Sequence, residues 1–69
     1  MNAEGLRYII NEVPGHKLEI TLINGKSLIG TQAANTSSGV MHFQEQESGL
    51  IVHVAVEHIV TVRVLNKPA

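Results

Sequence analysis

The sequence predicts a mainly β domain, an N-terminal helix followed by a five-stranded, strongly bent antiparallel sheet that closes into a small barrel. The first sign is a change in the apolar period, from that of a helix to that of a strand, at "PGH", residues 14–16. Beyond it the chain breaks into short alternating runs punctuated by turn residues, Asn24-Gly25 among them. The last is Gly30, a glycine inside a run that otherwise reads as strand. A residue without Cβ there marks a sharp bend or a close backbone approach.

The helix is read over residues 2–13, because Leu6, Ile9, Ile10 and Val13 recur at helical spacing while Glu4, Arg7, Tyr8 and Asn11 fall elsewhere on the wheel. Asn2 is the N-cap, and Pro14 with Gly15 ends the element, since proline disfavours helical geometry at the residue before it. A first strand follows over residues 17–23, where Leu18, Ile20 and Leu22 alternate with Glu19 and Thr21. Asn24-Gly25 predicts a two-residue hairpin turn, because both residues tolerate positive φ. The second strand spans 27–34, with Gly30 as the barrel corner, and the polar stretch 35–39 is a loop.

A third strand covers 40–44 with Met41 and Phe43 on one face, and "QEQESG" is a solvated turn. The fourth strand is 50–56, Glu57-His58 a brief break, and the fifth strand 59–65. The domain therefore reads as one unit over 1–69, with its helix at about 2–13, barrel at about 17–65 and tail at 66–69.

Composition limits what such a domain does. With 43% hydrophobic and 16% charged residues the chain folds. At 69 residues without cysteine it has little core and no disulfide, so self-association is an expected source of further burial. "MNAEGLR" has no secretory pattern, and "LIVHVAV" is too short to span a bilayer, which together predict a soluble, cytoplasmic protein with no membrane partner. Five Lys or Arg against six Asp or Glu supply no basic surplus for binding nucleic acid through phosphates alone.

The last two strands, "LIVHVAV" and "IVTVRVL", carry valine or isoleucine on both faces, although a small barrel covers one. Unpaired, they would be an aggregation hazard. Ile51, Val52, Val54, Val60, Val62 and Val64 are therefore expected at a subunit interface in which strand four of one copy meets strand five of the next. Such a head-to-tail contact closes into a ring.

The stretches "ITLINGKSLIG" (20–30) and "VAVEHIVTV" (54–62), with the helix before them, resemble the two motifs of the Sm-like family, which includes the Lsm proteins and the bacterial RNA chaperone Hfq. The resemblance covers nearly the whole chain. It implies an Sm-like (SH3-like) small barrel, a homo-oligomeric ring built by pairing strands four and five, and binding of single-stranded RNA near the pore. The loop after strand two and the turn between strands four and five would hold the bases. Carried over, these positions make Asn35, Ser37, Ser38 and His58 the candidate RNA contacts.

The chain departs from the family pattern at these same places. Its loop has no aromatic to stack a base, and the Arg-Gly position reads Ala55-Val56. Asn, Ser and Gly are also what an ordinary tight turn uses, and an alternative is a structural or protein-interaction ring without RNA. Of the four histidines, His42 and His53 fall opposite each other on neighbouring strands but lack the third and fourth ligands of a zinc site. No metal, cofactor or catalytic constellation is expected, and the chain is read as a binding module, not an enzyme.

Overall fold

The computed structural model describes the backbone of residues 2–37 and 39–68, and the side chains of these except 35–37 and 66–68. The helix α1 runs Ala3–Glu12. Asn2 caps it: its backbone is extended, and its Oδ1 accepts a hydrogen bond from the Gly5 N–H at 2.7 Å. Leu6 is fully buried and Ile10 packs beside it, so the apolar stripe lies on the sheet as the spacing predicts. The helix stops at Val13, whose φ of −133° and ψ of 59° leave helical space ahead of Pro14. Among the described residues, no helix is long and apolar enough to cross a membrane.

Five strands follow: β1 (His16–Leu22), β2 (Ser27–Ser37), β3 (Val40–Glu45), β4 (Ile51–Ala55) and β5 (Ile59–Pro68), with a 3-10 turn at Val56–His58 between the last two. They form a single antiparallel sheet in the order β4-β3-β2-β1-β5. The expected barrel is not closed. The 3-10 turn redirects the chain so that β5 pairs with β1 instead of folding back on β4, and among the described residues no ladder joins the two. They are left as the two edges of the sheet.

The sheet is nevertheless strongly bent. Eleven residues of straight strand would span roughly 33 Å, yet the longest dimension of the molecule is 25 Å. Two features bend β2. At Gly30, a Cβ would lie 2.5 Å from the Gln44 carbonyl oxygen and 2.6 Å from Phe43 Cδ2, so β2 approaches β3 more closely than any side chain permits. Two residues on, the register slips: Thr31 opposes Gln44 but Ala34 opposes His42, and Gln32 takes a φ of 58°. This is a β-bulge, in which an extra residue on one strand kinks it. The bend thus extends beyond the glycine that the sequence singles out.

The first hairpin also differs from expectation. Gly25 N–H donates to the Leu22 carbonyl at 2.9 Å and Leu22 N–H to the Lys26 carbonyl at 2.8 Å, so the loop has three residues, Ile23 to Gly25. Only Gly25, at φ 86°, is left-handed; Asn24 instead accepts from Lys26 N–H through its Oδ1 at 3.0 Å. One left-handed residue after a turn suits the strand twist as well as two do. Two further boundaries move outward. β2 continues through Ser37, where a loop from Asn35 was expected, because its backbone keeps pairing with β3 as far as Ser37 opposite Val40. β5 runs past Leu65 to Pro68 because His16 pairs there and its Nδ1–H donates to the Leu65 carbonyl at 3.0 Å. Met1, Ser38 and Ala69 lie outside the described residues.

The core gathers Leu6 from α1, Ile20 from β1, Met41 and Phe43 from β3, Val54 from β4, and Val56 and Ile59 from the 3-10 turn and the residue after it. Burying both Val56 and Ile59 anchors the link between the two edge strands to the centre of the molecule.

Candidate nucleic-acid interface

Backbone hydrogen bonds decide what lies next to what. Val56 N–H donates to the Gly39 carbonyl at 2.8 Å, which ties the start of the 3-10 turn to the β2–β3 turn. At its other end, the His58 carbonyl accepts from Ile23 N–H at 2.9 Å, which ties it to the β1–β2 turn. A three-residue turn therefore touches the turns at both ends of β2, which is possible only because β2 is bent.

Of the expected RNA contacts, His58 is exposed on the 3-10 turn. Asn35 and Ser37 belong to the last residues of β2, opposite Met41 and Val40, and their side chains lie outside the described residues, as does Ser38 entirely. The segment that carries them enters the turn that bonds to Val56, two residues before His58. Glu57 shares the exposed 3-10 turn. The described cations come from different elements: Arg7 is on α1, Lys17 and Lys26 lie at opposite ends of the β1–β2 hairpin, and Arg63 on β5 faces Glu19 at 3.4 Å.

The six expected interface residues divide in two. Ile51 on β4 and Val60 and Val64 on β5 are exposed, whereas Val54 is buried in the core and Val52 and Val62 pack against it. On β4 alternation explains the division, since neighbouring strand residues point to opposite faces. On β5 the register shift between Thr61 and Ile59 leaves Val60 without a register partner, and Val64, register partner of buried Leu18, is exposed further along the strand than Val62. Leu50 and Ile23, each 66% exposed, extend the apolar surface at the ends of β4 and β1. The sequence hides Ile23 as a surface residue because a strand reading carries it one position too far, into the turn.

His42 and His53 are register partners on β3 and β4, with ring centroids 5.5 Å apart and planes inclined by 47°. Among the described residues no group of three or more His, Cys, Asp or Glu side chains is arranged to hold a metal ion. No protein-family model, curated protein or solved structure matches the chain.

Proposed function

We propose that the chain is the subunit of an Sm-like homo-oligomeric ring that binds single-stranded RNA. The observation that carries the ring is the pair of open edges at opposite sides of the sheet, each with exposed apolar side chains, Ile51 on β4 and Val60 and Val64 on β5. Edges of this kind invite pairing with another copy, and joining unlike edges head to tail gives a closed ring when the rotation between copies closes. The RNA site is supported by the Val56–Gly39 hydrogen bond, which places the end of β2 beside the turn that presents His58. In each subunit Asn35, Ser37, Ser38 and His58 would then offer hydrogen bonds and an imidazole face to a base.

A second reading, a ring that serves a structural or protein-interaction role without RNA, is favoured by Glu57 beside His58 and by the engagement of Arg63 with Glu19. Fluorescence anisotropy with labelled uridine-rich and adenosine-rich oligonucleotides at two salt concentrations separates the two. Binding that weakens in Asn35→Ala and His58→Ala supports the RNA site. No binding at micromolar protein in low salt, from a chain that native mass spectrometry shows to be oligomeric, transfers support to the second reading. A folded monomer at the same concentration would overturn the ring.

A further inference from the structure

We infer that His42 and His53 form an open two-histidine chelate for a late first-row divalent cation, of the zinc and copper class, on the outer face of the β3–β4 hairpin. Met41 and Phe43 are fully buried, so His42 between them points to the opposite face of the sheet, where its register partner is the exposed His53. The spacing suits a shared ion. Two imidazoles on one tetrahedral ion, with metal–nitrogen bonds near 2.0–2.1 Å, hold their ring centres roughly 5 Å apart, against 5.5 Å here. The planes are tilted by 47° and not stacked face to face.

His42 supplies an independent reason. Its Nδ1 is buried without a hydrogen-bond partner, a costly state for a polar atom, and coordination through that nitrogen would end it. The outer-face neighbours select the class of ion. Val40 and Gln44 flank His42 along β3, Ile51 and Ala55 flank His53 along β4, and Ala34 is the register partner of His42 on β2. None is a carboxylate, so calcium and magnesium lack the oxygen ligands they need, whereas imidazole suits zinc, copper and nickel. Two protein ligands do not make a closed structural zinc site. The remaining positions fall to water, and the case for this open chelate rests on neither the ring nor RNA.

The test is titration of the tag-free full chain with zinc chloride, followed by calorimetry and by imidazole nitrogen NMR, with magnesium chloride as the control. Saturable binding of roughly one zinc ion per chain is expected, with the His42 and His53 resonances shifting and those of His16 and His58 unmoved. Because losing a ligand should cost at least as much as losing its outer-shell support, His53→Gln and His42→Gln should each weaken binding by about tenfold or more. His16→Gln and His58→Gln should bind as the parent does. His53 is exposed, so its variant keeps the fold and the test remains decisive if His42→Gln does not. Zinc that binds His53→Gln as tightly as the parent, shifts His16 or His58 instead, or shows no saturable binding overturns the assignment.

Discussion

Gly30 lies directly against Phe43: a Cβ added to the glycine would stand 2.6 Å from Phe43 Cδ2 and 2.9 Å from Cε2. The backbone oxygen of Gln44, at 2.5 Å, blocks the same space, so rotating the ring away does not make room. Gly30 has no left-handed φ, so the penalty for a side chain here is steric. Gly30→Ala is expected to cost about 3 kcal/mol, the upper part of the range for overpacking a core. Urea denaturation checks it, with a lower midpoint at unchanged slope as the expected result. Parental stability would show that β2 and β3 do not approach so closely.

Gln32 pays for the second bend with its conformation. A left-handed backbone costs a residue with a side chain about 1–2 kcal/mol that glycine escapes, and Gln32 is the described non-glycine residue with positive φ. Gln32→Gly should therefore be neutral to stabilising by about 1 kcal/mol, after the greater freedom of glycine in the unfolded chain is deducted. Gln32→Val should destabilise. Thermal melts are sensitive enough, because 1 kcal/mol moves the midpoint of a domain this size by about 4–8 °C.

Charges on the two edges distinguish assembly from folding. Val60→Lys and Val64→Lys alter exposed positions and should change subunit stability by no more than about 0.5 kcal/mol, while dispersing any oligomer built through β5. Val54→Lys puts a charge in the core and should unfold the chain. Size-exclusion chromatography with light scattering, paired with circular dichroism, reads both effects. An oligomer that survives Val60→Lys, Val64→Lys and the double variant would count against edge pairing.

The helix cap gives a local test of how α1 is held. Asn2→Ala removes the acceptor of the Gly5 N–H and should cost about 1 kcal/mol. Since Leu6, one turn on, is part of the core, the loss should appear in the global denaturation curve. A change confined to local fraying of α1, seen by amide exchange without a shift in that curve, would show that the helix docks independently of its cap.

Much of this fold was legible in the chain because its determinants are local. The helical spacing of Leu6, Ile9 and Ile10, the stop at Pro14, the alternation of Leu18, Ile20 and Leu22, and the facing of His42 and His53 all act within a few residues or across one hairpin. Gly30 was visible as an anomaly, although the atoms that explain it belong to Phe43 and Gln44 on another strand. The candidate RNA segment was less legible. Asn35 to Gly39 has the polar composition of a loop, but backbone pairing with β3 holds it in the sheet as far as Ser37, and composition does not report pairing.

By itself, then, the sequence determined the order of one helix and five strands and the inward face of α1, β1 and β3, since side-chain periodicity and turn chemistry act along the chain. Only the tertiary structure decided that β5 pairs with β1, that β4 and β5 remain open edges, and that Val54 belongs to the core while Val60 and Val64 stay exposed. Those outcomes depend on how a bulged, bent β2 and a buried 3-10 turn aim the final strand. Direction in space accumulates over several bends, and no single stretch of sequence encodes their sum.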